Sequence, residues 1–315
     1  MILNTGARTD TVHYFSQWLL KRFQEGYVLS RNPLYPDKVT RYELTPEKID
    51  AVLFCSKNYK PILPHIKTIS DKFNTYFHYT ITAYGKDIEP GVPSIQESIE
   101  TLKRLSCIVG KEKISWRYDP ILLTKKYTIE THRLTFDMMA KEIAPYVNNC
   151  IFSFVEIYKK IELALPELIP FSEEAMEIIA KDLGKIAQNY NLPIQTCGTN
   201  KDFTQYGIAQ SGCTTLAILE KANGISFKKL KHNGFRNGCH CIDSRDIGFY
   251  DTCLSGCKYC YANKNHQLAK ENYALHNPDS PLLLGNLKET DILQQGIQRS
   301  FLQKTSQKDI QEFDF

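Results

Sequence analysis

Three cysteines near the end of the chain, Cys253, Cys257 and Cys260, stand in the segment DTCLSGCKYCYANKN with the spacing C-x3-C-x2-C. Three thiolates so close on one loop can hold three corners of a cubane iron–sulfur cluster. A four-iron cluster normally takes four thiolates, so such a loop leaves one iron open to an outside ligand. Gly256 supplies backbone freedom where the loop must wrap. The same residues also suit a structural zinc ion, with Cys257 and Cys260 as one pair and Cys253, or Cys239 with Cys241, as the rest. By subtraction Cys197, Cys213, Cys239 and Cys241 remain, a complement for a second iron–sulfur cluster or a zinc ion, unless they are unligated thiols. His240 is a candidate ligand there, although in an extended segment its side chain points away from those of its neighbours. Cys55, Cys107 and Cys150 lie singly. Cys107 falls in a helical pattern and Cys150 opens an apolar strand, so both suit small buried hydrophobes.

Such groups need a frame. Eight short apolar, β-rich runs, at 2–4, 27–29, 51–54, 76–81, 113–116, 150–154, 193–196 and 246–250, recur with room for a helix between most neighbours. Asp10 can cap a helix over 11–25 that Gly26 stops. Ser94 and Glu97 form a capping box ahead of Ile95, Ile99, Leu102 and Leu105. Ser172 opens a helix through Met176, Ile179, Leu183 and Ile186, with Pro193 just beyond its end. Eight strands alternating with helices predict an α/β fold, a (β/α) barrel, as one domain over 1–285 that includes the cysteine-rich segment 197–262. The polar stretch 286–315 is expected to form a peripheral helix or tail.

In a barrel the chemistry gathers where strands end. Polar residues follow the runs there: Arg8 and Asp10, Arg31, Lys57, then Thr82, Tyr84 and Glu89, Arg117 and Asp119, Ser153 and Glu156, and finally Cys197 and Cys253. Arg8, Arg31, Lys57 and Arg117 together suit an anionic group such as a carboxylate or phosphate, and Asp10, Asp119 and Glu156 complete the candidate lining.

The chain has 315 residues, 42% of them hydrophobic and 23% charged, within the ordinary globular range. A compact domain of this length hides roughly 75% of its unfolded surface, so metals and crosslinks are not needed merely to hold it together. Its ten cysteines therefore call for another explanation. No apolar run approaches the ~18 residues of a membrane span, and the start MILNTGARTDTV lacks a secretory pattern, so a cytoplasmic protein without a membrane partner is expected. Thiols stay reduced there, which favours metal ligation or redox chemistry over disulfides. A net charge of +4 permits a nucleic-acid partner without arguing for one. The rival function is a non-catalytic zinc or iron–sulfur protein that grips nucleic acid through Lys228, Lys229, Lys231, His232 and Arg236, although such a run is usually a solvated face.

The C-x3-C-x2-C loop resembles that of the radical S-adenosylmethionine superfamily. That resemblance implies a 4Fe–4S cluster on Cys253, Cys257 and Cys260, S-adenosylmethionine on its open iron, and Tyr259 near the adenine. Arg31 and Lys57 would help bind the cofactor, and a flavodoxin or ferredoxin would donate the electron. In most superfamily members the loop follows the first barrel strand. Here it follows the last, which implies a circularly permuted barrel. The whole chain up to about Gly285 resembles a bacterial family, domain of unknown function eighteen forty-eight. The matching pieces include Ala7-Arg8-Thr9-Asp10, Arg31-Asn32-Pro33, Lys57-Asn58, Glu89-Pro90, Trp116-Arg117-Tyr118-Asp119-Pro120, Gly212-Cys213, Cys239-x-Cys241, Gly256-Cys257-Lys258-Tyr259-Cys260-Tyr261-Ala262 and Ser280-Pro281-Leu282-Leu283. The Arg-Tyr-Asp-Pro segment and the Cys-x-Tyr-Cys-Tyr ending are locally similar to spore photoproduct lyases, radical enzymes that repair DNA. The expected activity is generation of a 5′-deoxyadenosyl radical on an unknown substrate.

Overall fold

The computed structural model describes residues 1–228 and 238–303. Its strands are β1 (Ile2–Asn4), β2 (Tyr27–Arg31), β3 (Lys38–Glu43), β4 (Ala51–Ser56), β5 (Thr75–Thr80), β6 (Ile114–Ile121), β7 (Asn149–Phe154), β8 (Ile194–Thr196), β9 (Ile208–Gln210), β10 (Arg245–Asp246) and β11 (Ile292–Gln295). The helices are α1 (Thr11–Tyr14), α2 (Ser16–Glu25), α3 (Leu63–Lys72), α4 (Ile95–Val109), α5 (Ile129–Ile143), α6 (Lys159–Ala164), α7 (Glu173–Asn189), α8 (Leu216–Asn223) and α9 (His266–Ala274). Eight strands form one parallel sheet in the order β10-β1-β4-β5-β6-β7-β8-β9, so that after β1 the spatial order follows the chain. The fold is mixed α/β. Among the described residues no helix is long and apolar enough to cross a membrane.

Alternation along the strands gives the sheet two different faces. Val52 and Phe54 of β4 and Phe77 of β5 enter the main core, with Trp18, Leu19 and Phe23 of α2, Ile66 of α3, Leu102 and Leu105 of α4, Phe136 of α5 and Leu183 of α7. The opposite face begins with Ala51, Leu53 and Tyr76, covered by Leu219 and Ala222 of α8 and by Phe227 and Ile242. It continues into a polar chain. Tyr76 bonds Ser115 at 2.6 Å, Ser115 donates to Asn149 at 2.6 Å, Asn149 donates to Gln195 at 2.9 Å, and Gln195 donates to the Gly212 carbonyl at 2.9 Å. Buried polar side chains are tolerated because each finds a partner, and the chain ties β5 through β8 to the loop after β9.

Helix signals hold where they are local. Ser94 and Glu97 close a capping box on α4, and Ser172 caps α7. The single helix expected over 11–25 is instead two. Asp10 caps α1 through the His13 N–H, but Phe15 leaves helical geometry and buries its ring against Tyr273 and His276, at 5.3 and 4.7 Å between centroids. Tertiary packing overrides the helical period there.

The strand list needs three corrections. The run at 27–29 belongs to β2 of a separate three-stranded sheet, ordered β11-β3-β2, because 38–43 folds back antiparallel on it. The eighth strand of the main sheet is β9, whose three residues are too short to stand out. The run expected over 246–250 pairs only as Arg245–Asp246. Finally, within the stretch expected to be a helix or tail, Ile292–Gln295 is a strand parallel to β3. Residues 304–315 lie outside the described part, as do Lys229, Lys231, His232 and Arg236.

Arg31 is held in this small sheet. Its guanidinium forks onto Asp291, Nη1 to Oδ1 at 2.5 Å and Nη2 to Oδ2 at 2.7 Å, which explains why it does not join the other cations. The hydrogen bonds from Arg31 hold the Asp291 carboxyl down at about 2. The folded pKa lies below the ordinary value, so the clasp is complete above pH 4 and lost as pH falls through about 2. Arg31→Met is expected to mimic this at neutral pH. Limited proteolysis should cut within 286–297 faster, with the main sheet's thermal transition nearly unchanged. Equal cleavage rates would remove the clasp.

Candidate metal centre

The strands of the main sheet are parallel, so the loops leaving β1, β4, β5, β6, β7 and β8 emerge along one edge. The loop with Cys253, Cys257 and Cys260 closes over that edge. Gly91 N–H donates to the Ser255 carbonyl at 2.8 Å and Lys258 N–H to the Ile88 carbonyl at 3.0 Å, which ties the loop to the segment after β5. Lys160 of α6 donates to the Cys260 and Asn263 carbonyls, and Tyr261 OH to the Ala7 carbonyl after β1. Inside the loop Asn263 bonds the Cys253 carbonyl at 2.6 Å, and Cys260 N–H reaches the Cys257 carbonyl at 3.1 Å. Gly256 turns the chain with φ of 66°, a conformation side chains resist.

The thiols of this loop are free of disulfides. Burial pushes Cys253 up to about 11 and pushes Cys257 up as well, and the Glu89 carboxylate, followed by Cys253 and Cys260, adds to the effect on Cys257. As a donor set, three cysteines on one loop suit a metal centre that would take them as thiolates, although their sulfurs are not among those gathered within 4.8 Å of one another.

Lys57, named as cofactor-binding, packs beside this loop. Its Nζ lies 2.9 Å from Glu89 Oε1 and 5.7 Å from the Tyr259 ring centroid. Burial disfavours its charge, but Glu89 and Cys257 outweigh it and the pKa rises. Glu89 Oε1 also accepts from Thr82 at 2.8 Å and from Tyr259 OH. Tyr259, expected near the adenine, is 9% exposed, bonded to Glu89 and packed edgewise on Tyr84 at 5.9 Å, so its ring supports the loop from within. Tyr261, two residues on and 66% exposed, is the aromatic that faces outward, with Arg117, Cys260, Asp246 and Cys55 as electrostatic neighbours.

The other pocket residues divide. Asp10 accepts from His13 N–H, from Ser56 Oγ at 2.7 Å and from Lys57 N–H at 3.0 Å, so its carboxylate fixes the backbone at Lys57. Burial raises its pKa. Arg8 lies 3.9 Å from Asp246 and over the Tyr250 ring. Glu156 is exposed and accepts from Tyr158, so it is not enclosed with the others. Arg117 and Asp119 share one face of β6, paired to each other. Asp119 also accepts from Ser153 of β7, and a register shift after Tyr118 marks the bulge that carries Asp119. Cys107 is exposed on α4 and not buried as expected, because it falls outside the buried stripe of Leu102, Leu105 and Ser106. Cys150 is fully buried.

A second group of thiols is tighter. Cys197 follows β8, Cys213 follows β9, and Cys241 precedes β10. Their sulfurs lie within 4.8 Å of one another, with Cys213 to Cys241 at 3.2 Å and Cys197 to Cys241 at 3.8 Å. Gly212 makes this approach feasible, since a Cβ there would stand 2.5 Å from the His240 carbonyl oxygen. Ile242 N–H bonds the Thr214 carbonyl at 3.0 Å, and Cys239 packs against the group. His240 is exposed. Hydrogen bonds from Cys197 and Cys241, aided by Arg117 and His78, drop the Cys213 thiol well below its ordinary value, and Cys241 rises in exchange. This close triad could hold a metal ion or cluster.

Glu89 was visible only as one polar residue after a strand, and Cys55 looked solitary. In the structure Cys55 shares the face of Ala51 and Leu53 and interacts with Arg117 and Cys213. The available signal was the two-residue period of β4.

A parallel α/β sheet whose strand-end edge carries two groups of cysteines defines the class. The chain belongs to the family described as Domain of unknown function (DUF1848), whose model matches residues 2–262. No curated protein matches it. One solved structure, described by its work on the contribution of a disulfide bond toward thermostability in hyperthermostable endocellulase, is similar at 15% identity and a TM-score of 0.33. The match covers 55% of this chain and 58% of that one, less than two thirds of either.

Proposed function

We propose that this protein is a radical S-adenosylmethionine-type iron–sulfur enzyme, with a 4Fe–4S cluster on Cys253, Cys257 and Cys260 and a second centre, iron–sulfur or zinc, on the other thiols. The observation that carries the reading is that the three-cysteine loop is clasped over the carboxyl edge of a parallel sheet, beside Lys57 and Glu89 and across from Arg117. A permuted (β/α) barrel is the fold that goes with it. In its support, the spatial strand order follows the chain, and 211–214 meets 240–242 between the two outer strands.

Such a cluster supplies one-electron cleavage of the sulfonium, which yields methionine and a 5′-deoxyadenosyl radical when a flavodoxin- or ferredoxin-like donor provides the electron. The chain's own residues bind, orient and exclude water. Glu89 and Tyr259 brace the loop from below, Asp10 fixes the backbone at Lys57, and Arg117 presents a positive charge toward substrate. Purified without oxygen and reduced, the protein should convert S-adenosylmethionine to 5′-deoxyadenosine. Colourless protein loaded with zinc alone, or a reduced cluster that yields none with any candidate substrate, overturns the reading.

A further inference from the structure

We infer that the Cys197–Cys213–Cys241 group is a ligand-binding centre, in which a metal held by three thiolates keeps one position for a carboxylate-class ligand whose charge is met by Arg117. The inference uses the second centre named above and is independent of the radical chemistry.

Three observations meet here. The sulfurs that share one 4.8 Å cluster are those of Cys197, Cys213 and Cys241, while Cys239 packs alongside without joining it. A tetrahedral ion on three thiolates has a fourth position to fill. The cation nearby has capacity for a ligand. Arg117 pairs in register with Ile151, which packs on Cys197 and Cys241, so the guanidinium is one side chain away from the group. Its Nη2 holds Asp119, but its buried Nε has no hydrogen-bond partner among the described residues. Arg8, Arg31 and Lys57, the other cations expected to hold an anion, face Asp246, Asp291 and Glu89. The third observation is His78, on the same sheet face and 1% exposed. Its Nε2 bonds Thr214 Oγ1 at 3.0 Å, next to Cys213, and its Nδ1 also lacks a partner. The orphaned buried Nε of Arg117, a donor in any state, marks a place beside the thiol group where an additional acceptor belongs, and His78 Nδ1 can donate there in the tautomer whose Nε2 accepts from Thr214.

Charge makes the same demand. A divalent ion on three thiolates carries net charge −1, so an anionic ligand is held there only if a cation stands beside it. Arg117 is that cation, and a carboxylate matches its planar edge.

The test uses the full chain carrying Cys253→Ser and Cys257→Ser, so that the first loop cannot bind metal and the radical reading does not enter the result. The apoprotein is loaded with Co2+, whose visible bands report its ligands, and titrated with acetate. One Co2+ per chain is expected, retained after Cys239→Ala and lost after Cys213→Ala. Acetate should shift the bands, and Arg117→Gln should raise the concentration required by about 10- to 100-fold, the worth of a charge-assisted hydrogen bond. Arg117→Lys, which keeps the charge and loses the edge, should fall between, and serves where Arg117→Gln fails to fold by circular dichroism. Loss of Co2+ on Cys239→Ala would mean a closed four-thiolate site and overturn the inference. So would bands that ignore acetate, or a titration that is the same in both Arg117 variants as in their parent.

Discussion

Cys257→Ala is expected to lower iron by about four atoms per chain and to bring 5′-deoxyadenosine formation to background, while the metal of the second centre stays. The two thiol groups sit on different segments. One hangs on the loop after β10, anchored by Ile88, Gly91 and Lys160, and the other joins the ends of β8 and β9 to residues 239–241. Losing one sulfur should therefore empty one group and spare the other. Cys257 is the informative position because it packs with Tyr84, Ile88 and Tyr259 next to Lys57 and Glu89. Cys107→Ala is the matched control. Cys107 is exposed on α4, and the change should leave iron untouched and stability within about 0.5 kcal/mol. Should Cys257→Ala disturb folding, Cys260→Ala must give the same iron loss. Full iron and undiminished S-adenosylmethionine cleavage in both variants would show that the division of the cysteines is wrong.

Much of this was legible along the chain, and the exceptions share a cause. Caps, apolar periods and the parallel character of the sheet are local properties, so Ser94, Ser172 and the runs at 51–54, 76–81 and 150–154 announced their elements. Counting singled out Cys197, Cys213, Cys239 and Cys241 because they had no other evident use, and the structure gathers three of them, with Cys239 packed alongside. What a linear pattern cannot carry is the pairing of charges. Arg31 resembled Lys57 and Arg117 as a cation after a strand, yet its partner Asp291 lies 260 residues away, in a segment that looked like a polar tail. Likewise Tyr259 and Tyr261 flank Cys260 symmetrically in sequence. Only the fold shows that one turns inward to Glu89 and the other outward. Strands of two or three residues, such as β9 and β10, are visible only through the neighbours they pair with.

Glu89→Ala should be the most damaging single change at the strand-end edge outside the thiols, at about 3–5 kcal/mol, the usual cost of stripping the partner from a buried charge. Glu89 is 2% exposed and one of its oxygens serves Lys57, Thr82 and Tyr259 at once. Removing it leaves the Lys57 ammonium enclosed beside Cys257 with its main counter-charge gone, and two hydroxyls without an acceptor. The loss is of pairing, not of packing volume, so it should be largely recovered when the charge is removed too. Lys57→Met combined with Glu89→Gln is expected to unfold in urea within about 1–2 kcal/mol of the parent, well above Glu89→Ala alone. Glu89→Gln alone should fall between, because an amide oxygen still accepts from Tyr259. The iron content of the double variant adds a second readout. If Lys57 and Glu89 only brace the loop, the thiols still gather and iron is retained. If Glu89→Ala costs less than about 1 kcal/mol, the pair is solvated in solution and cannot be what holds Tyr259 and the Cys257 segment against the sheet.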